Sequence, residues 1–236
     1  MQPHMREGRW TSSPPWRRHE LLHVAPDVWA STLAHHPASA GLPMLEAWAD
    51  RGWPVIVRRR TRAEDPGLVP IGLPLPPALG KRGISLLLPP NGVLQRSAPP
   101  LLRTAAHVAN PSWRPTIASL VALGVRAGVE PGAFGSLLWQ HRTGLAYLSP
   151  HSDLDVLWPV PEGFDVISLV FGIAEVQRDA QPLIDGEIIF PDGTAVNWRE
   201  LWNAYRAGDP AAVLAKSMEG VRLLDIATLS RVGQHA

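Results

Sequence analysis

Two aspartates separated by a single residue, Asp153 and Asp155, have the types and the spacing best suited to chemistry. Side chains of a β-strand alternate between its two faces, so both carboxylates would lie on one face, opposite their apolar neighbours. Adjacent like charges repel each other unless a cation lies between them, and Mg²⁺ prefers carboxylate oxygens. The pair therefore predicts a divalent-metal site. The alternative is an exposed edge strand with two solvated acids.

A later acidic strand and an upstream Gly-Ser pair could complete this site. Asp185 and Glu187 share one face of a strand expected at residues 184–190, and either could supply a third carboxylate. We favour Asp185, because its shorter side chain is the less flexible of the two, and keep Glu187 as the second candidate. Gly135 and Ser136 lie on a helix ahead of the first acidic strand, where a backbone amide and a hydroxyl could contact a phosphate.

A basic run in the N-terminal part of the chain is a candidate for substrate binding. Arg58 and Arg60 flank Arg59 at the end of a strand expected at residues 54–58. Guanidinium groups suit the recognition of phosphates and carboxylates. We expect Arg58 and Arg60 to contact the substrate or an acidic partner protein. The alternative is a solvated basic surface.

The composition excludes other kinds of chemistry. The chain has 236 residues, enough for one large or two small domains with a sizeable core. It contains no cysteine, which excludes disulfides, a thiolate nucleophile and zinc sites with sulfur ligands. Its 22 basic and 21 acidic residues give a net charge of +1, so we expect no nucleic-acid partner.

The sequence also gives no sign of a membrane partner. No stretch approaches the roughly 20 consecutive apolar residues that span a bilayer. The N-terminal residues include Arg6, Glu7 and Arg9 and lack the apolar core of a secretory signal. We therefore expect a cytoplasmic protein.

Proline-rich segments divide the chain into two α+β domains, residues 1–92 and residues 93–236, and the acidic strands lie in the second. In the first domain the pattern predicts a helix at 42–51 and strands at 54–58 and 84–88. In the second it predicts helices at 115–126, from about 131, at 164–177 and through 199–232, the last interrupted at Gly208-Asp209-Pro210. It also predicts strands at 145–148, 154–158, 184–190 and 194–198, and the last two are joined by a hairpin turn at 191–193.

A Gly-Ser helix followed by an Asp-x-Asp strand and a later acidic strand resembles the nucleotidyltransferase superfamily, typified by DNA polymerase β. The separation between Ser136 and Asp153 is longer than that superfamily usually shows. A finer similarity covers most of the chain and points to the malonate decarboxylase holo-acyl-carrier-protein synthases, also called phosphoribosyl-dephospho-CoA transferases. It rests on the segments Ser152-Asp153-Leu154-Asp155, Asp185-Gly186-Glu187 and Phe190-Pro191-Asp192-Gly193-Thr194-Ala195-Val196-Asn197-Trp198-Arg199-Glu200-Leu201.

The resemblance implies a polymerase β-like core with a mixed sheet and a small N-terminal α+β domain. It implies transfer of a phosphoribosyl-dephospho-CoA group from its triphosphate donor to a serine of the acyl-carrier subunit of malonate decarboxylase, with release of pyrophosphate. Mg²⁺ would be the cofactor, held by Asp153, Asp155 and a carboxylate of the later strand, with Asp185 preferred as the base. Two alternatives remain: another Mg²⁺-dependent nucleotidyltransferase with a different acceptor, and a catalytically inactive module that binds the carrier.

Overall fold

The computed structural model describes residues 16–36, 42–80, 82–208 and 212–225. The chain folds into two compact units, residues 1–99 and 100–236. The boundary lies at Pro99-Pro100 rather than at the predicted residue 92, because residues 93–97 form a strand of the first unit's sheet. Each unit combines helices with a sheet, which confirms the predicted α+β class.

In its described residues, the first unit is an antiparallel sheet with two α-helices. Its five strands have the order β4-β3-β2-β1-β5. The strand expected at residues 54–58 is β2, and that expected at 84–88 is β4. The predicted helix at 42–51 is helical only in its first half, which is α2. The elements are β1 (Leu21–Val24), α1 (Pro26–Ala34), α2 (Pro43–Glu46), β2 (Val55–Val57), β3 (Val69–Pro74), β4 (Gly83–Leu88) and β5 (Val93–Ser97).

The second unit is a mixed sheet with five helices described around it. Its six strands have the order β11-β10-β9-β8-β7-β6. The pair β7 and β8 is parallel, and α6 forms the crossover between them, as a parallel pair requires. The elements are α3 (Leu102–Ala105), α4 (Arg114–Ala127), β6 (Gly132–Ala133), α5 (Gly135–Thr143), β7 (Leu154–Pro159), α6 (Val166–Asp179), β8 (Ile184–Ile189), β9 (Ala195–Asn197), α7 (Trp198–Ala207), β10 (Ala212–Lys216) and β11 (Val221–Asp225).

One face of this sheet forms the core of the second unit. Leu154, Val156 and Trp158 of β7 are fully buried, as are Ile184 and Ile188 of β8. They belong to one apolar cluster with side chains of α4, α6 and α7. Because side chains alternate along a strand, the residues between them lie on the opposite face, which is where the predicted carboxylates belong.

Three sequence predictions in this unit were wrong. The helix expected from about residue 131 begins only at Gly135, because Gly132 and Ala133 form β6 and pair with β7. The segment 145–148 is a loop, because the backbone amides of Tyr147 and Leu148 donate to Oε1 of Gln140 in α5 instead of to a neighbouring strand. The first part of the predicted helical tail is α7, which ends at Ala207, just before the predicted interruption at 208–210. The described residues after it are not helical, because β10 and β11 form a hairpin whose β10 side chains alternate between buried and exposed. Residues 226–232 of that prediction lie outside the described part of the chain.

Among the described residues, no helix has the length and apolar character needed to cross a bilayer.

Candidate active site

The predicted carboxylates lie together on the non-core face of the mixed sheet. Asp155 of β7 and Asp185 of β8 are direct partners in the parallel register, on strands about 4.7–4.9 Å apart. Glu187 is two residues further along β8, on the same face as Asp185. Asp153 is exposed and lies just before β7 begins. The fold therefore brings the Asp-x-Asp segment beside the acidic strand, as the sequence predicted.

The Gly-Ser pair contributes to the same place through the N-terminus of α5. Gly135 is the first residue of α5 and has φ of 54°, in the left-handed region that favours glycine. A Cβ atom on Gly135 would overlap with the carboxylate of Asp155. The backbone amide of Phe134, just ahead of it, donates to the carbonyl of Asp155 at 3.0 Å. Glycine is thus required so that the start of α5 can lie against Asp155, and Ser136 follows as a half-buried residue in the first turn.

Substitution of Gly135 tests this contact. We expect Gly135→Ala to displace the Asp155 carboxylate and to strain the backbone, which together should cost about 1–3 kcal/mol of stability and most of the activity. Gly144→Ala is the matched control, because Gly144 ends α5 with φ of 71° but has open space where its Cβ would be. Urea unfolding and turnover of both variants measure the difference. Equal loss of activity in the two would contradict a specific role for the contact with Asp155.

The middle residue of the acidic strand brings β7 and β8 close together. Gly186 pairs with Val156 and has φ of 142°, and a Cβ there would overlap with the Val156 carbonyl. The Asp185-Gly186-Glu187 segment therefore combines two polar side chains on one face with a glycine that permits the close strand pairing.

The two candidates for third carboxylate have different surroundings. Asp185 is half-buried and accepts a hydrogen bond from Nδ2 of Asn197 at 2.7 Å. Glu187 is buried and forms an ion pair with Lys216 of β10, with 2.8 Å between Nζ and Oε1. An ion pair with lysine offsets the negative charge of a carboxylate, whereas a hydrogen bond from an amide leaves that charge in place. A metal ion is therefore attracted less strongly to the ion-paired carboxylate. The surroundings therefore favour Asp185 as the ligand or base.

The donor set suits magnesium held together with a substrate. Within the described residues, no group of three or more Asp, Glu, His or Cys side chains is arranged to hold one metal ion. The face offers oxygen ligands from Asp155 and Asp185 in register. Mg²⁺ is commonly held by one or two carboxylates, with waters and substrate phosphates completing its six ligands. The arrangement fits that mode rather than a site built from protein ligands alone.

The two arginines selected from the sequence have structural partners inside the first unit. Arg58 donates to the carbonyls of Ile71 and Leu86 and forms a two-pronged ion pair with Glu64, so it joins β3 and β4 to the segment after β2. Arg60 donates to the carbonyls of Asp65 and Leu68. These contacts give both guanidinium groups a role in the fold, and their binding of substrate stays a prediction.

The Arg58 ion pair should make the stability of the first unit depend on pH. Arg58 beside Glu64 lowers the pKa of that carboxyl from 4.5 to about 2. Because the folded-state pKa is the lower one, the stabilisation is complete above about pH 4.5 and is lost as the pH falls through about 2. We expect Glu64→Gln to cost about 1–2 kcal/mol at pH 7, the scale of a charge-assisted hydrogen bond, and progressively less as the pH falls from 4.5.

Urea unfolding of the full chain between pH 7 and pH 3 measures this dependence. Glu46→Gln, which removes an exposed carboxylate of α2, is the control and should change the stability by less than about 0.5 kcal/mol. A Glu64→Gln effect that is the same at both ends of the pH range would contradict the account of this ion pair.

Known proteins share both units of this chain. Residues 17–99 match the family model described as the phosphoribosyl-dephospho-CoA transferase MdcG N-terminal domain, and residues 101–227 match that of the C-terminal domain. A phosphoribosyl-dephospho-CoA transferase of Bradyrhizobium diazoefficiens is 38% identical over 211 residues, which cover 89% of this chain and 91% of the relative. The chain belongs to the phosphoribosyl-dephospho-CoA transferase family. It is therefore a transferase, and the resemblance found in the sequence is confirmed.

More distant members support the same assignment. A phosphoribosyl-dephospho-CoA transferase of Xanthomonas campestris pv. campestris is 37% identical over 208 residues, covering 88% of this chain and 93% of the relative. One of Pseudomonas fluorescens is 31% identical over 223 residues, covering 89% and 92%. No solved structure matches the chain.

Two side chains of this transferase's acidic face were missed in the sequence. Asn197 lies beside Glu187 in the β8–β9 register and bonds to Asp185. The hairpin turn at 191–193 was recognised, and counting the register back from it would have placed Asn197 on this face. Lys216 gave no such signal, because its segment has too few residues to distinguish a strand from a helix and was predicted to be helical.

Proposed function

We propose that this chain transfers the phosphoribosyl-dephospho-CoA group of 2'-(5''-triphosphoribosyl)-3'-dephospho-CoA to a serine hydroxyl of the acyl-carrier subunit of malonate decarboxylase. The observation that carries the proposal is the match of both domain models of one transferase family, in order, along a single chain. We also propose that the second unit is a nucleotidyltransferase core. Its support is the parallel pair of strands that aligns Asp155 with Asp185, beside the first turn of a Gly-Ser helix.

The proposed reaction is an in-line displacement at the α-phosphorus of the donor. The serine oxygen forms a bond to that phosphorus, the bond to the bridging oxygen of the pyrophosphate breaks, and a phosphodiester remains on the carrier. Asp185 accepts the serine proton, because it is the carboxylate of β8 that is not ion-paired with lysine. The backbone amides at the start of α5 and the hydroxyl of Ser136 donate hydrogen bonds to a phosphate oxygen of the donor.

Magnesium is the proposed cofactor. Asp155 and Asp185 would hold it, with Asp153 as a further ligand before the strand. When bound, it supplies charge compensation for the triphosphate and for the leaving pyrophosphate. The carboxylates need this compensation themselves, since two of them in register repel each other and would repel an anionic donor.

Release of pyrophosphate tests the choice of donor. The full chain is incubated with Mg²⁺ and the apo-carrier subunit, together with either the triphosphoribosyl donor or ATP. We expect pyrophosphate only when the triphosphoribosyl donor and the carrier are both present. Pyrophosphate from ATP, and none from the triphosphoribosyl donor, would instead support a nucleotidyltransferase with a different substrate.

A further inference from the structure

Asn197 connects a candidate catalytic carboxylate to the start of a helix. It ends β9 and occupies the N-cap of α7, where its Oδ1 accepts hydrogen bonds from the backbone amides of Arg199 at 2.9 Å and Glu200 at 3.2 Å. Its Nδ2 donates to Oδ1 of Asp185 at 2.7 Å. One side chain therefore joins the first turn of α7 to the acidic strand β8.

The cap fixes which end of the Asn197 amide faces Asp185. The oxygen of an amide side chain only accepts and its nitrogen only donates. Because the oxygen is held by two backbone N–H groups of α7, the nitrogen must point away from the helix, toward the carboxylate. A flipped amide would face the backbone amides with its own N–H groups and lose all three bonds. The donor to Asp185 is thus set by the helix and does not depend on a mobile side chain.

The first turn of α7 is itself attached to the chain beside Asp185. The indole of Trp198 donates to the carbonyl of Ile184 at 3.2 Å, and Arg199 donates to the same carbonyl at 2.6 Å. Gln177 of α6 accepts from Arg199 at 3.1 Å and from the amide of Ile184 at 2.7 Å. Three elements thus meet at the residue preceding Asp185, so the position of Asn197 relative to that carboxylate is closely determined.

We propose that Asn197 is a positioning residue that holds the Asp185 carboxylate toward Asp155. Its bond is to Oδ1 of Asp185, so in this proposal the other oxygen, Oδ2, is the one that acts as base or ligand. The catalytic part of this inference rests on the proposed function. Partners that orient a ligand or a base in this way typically change activity by 10–100-fold when they are removed.

Two substitutions separate this role from helix capping. Serine and aspartate are both good N-cap residues, so Asn197→Ser and Asn197→Asp should retain α7. Neither can donate an amide proton to Asp185, and aspartate adds a like charge next to it. We expect both variants to lose about 10–100-fold in kcat, with little change in KM for the donor and an unfolding midpoint close to that of the wild type.

A second N-cap provides the control. Asp165 caps α6 through a bond from the amide of Ser168 at 3.1 Å. Asp165→Ala should lower the unfolding midpoint and leave kcat unchanged. Wild-type kcat in both Asn197 variants, or a loss of kcat in Asp165→Ala as large as theirs, would overturn the proposal.

Hydrogen exchange of the side-chain amide gives a measurement that needs no substrate. In the wild-type chain the Nδ2 protons of Asn197 should exchange more slowly than those of Asn203, which is exposed on α7, and Asp185→Ala should remove the difference. If the wild-type chain transfers nothing, the proposed function fails, and this exchange experiment still decides whether Asn197 holds Asp185. Equal exchange rates for the two amides in the wild type would overturn the inference.

Discussion

Asp155→Asn should reduce transfer by on the order of 10³-fold while leaving the fold intact. Asparagine keeps the shape of aspartate but removes its negative charge. That charge is needed to bind a divalent cation, and it also interacts favourably with the positive N-terminal end of α5. Asp155 is half-buried between that helix and Asp185, so a neutral side chain there relieves repulsion in the metal-free protein. Its stability should therefore be unchanged or slightly raised.

Turnover at saturating Mg²⁺ and urea unfolding of the same preparation measure both parts of this prediction. Asp153→Asn is expected to abolish transfer as well, although Asp153 is exposed and precedes the strand. Near-wild-type turnover in Asp155→Asn would remove the Asp-x-Asp segment from the active site. The same result for Asp153→Asn alone would restrict the site to the carboxylates in register.

Asp185→Ala should cost on the order of 10²–10⁴-fold in kcat, the range typical for removal of a general base. Glu187→Ala should cost far less in kcat, because Glu187 is ion-paired with Lys216 and its loss mainly removes this link between β8 and β10, which spans β9. Loss of the ion pair with Lys216 should instead lower the unfolding midpoint of Glu187→Ala.

Measurement of kcat and of the unfolding midpoint for both variants decides whether Asp185 or Glu187 is the third carboxylate of the site. The conservative variant Glu187→Gln keeps a hydrogen-bond acceptor for Lys216 and should restore part of the lost stability. A larger loss of kcat in Glu187→Ala than in Asp185→Ala would move the role to Glu187. Mild effects in both would mean that the third ligand lies elsewhere.

The acidic face could be predicted because its determinants are local. Alternation in the segment 152–158 put Asp153 and Asp155 on one face, and the same rule put Asp185 and Glu187 together. That the two acidic strands would be neighbours was a separate hypothesis, which the alternation alone does not establish. The choice between Asp185 and Glu187 needed the neighbouring strands, because Asn197 and Lys216 come from β9 and β10.

The incorrect predictions arose where the conformation of a short segment depends on partners outside that segment. Residues 145–148 have the composition of a strand, but the amides of Tyr147 and Leu148 bond to a glutamine of α5, and the sequence pattern does not predict such a side-chain partner. Residues 212–216 have too few side chains to distinguish a period of two from one of 3.6, and pairing with β9 and β11 decides their conformation. The domain boundary moved for a similar reason, since β5 pairs with β1 at the other end of the first unit.

The intact mass of the carrier subunit tests the central claim most directly. The apo-carrier is incubated with the full chain, Mg²⁺ and the triphosphoribosyl donor, and its mass is compared with that of carrier incubated with Asp185→Ala. The account predicts that the wild-type chain adds the mass of one phosphoribosyl-dephospho-CoA group to a serine, and that the variant leaves most of the carrier unmodified over the same time. A carrier whose mass does not change with the wild-type chain would contradict the account.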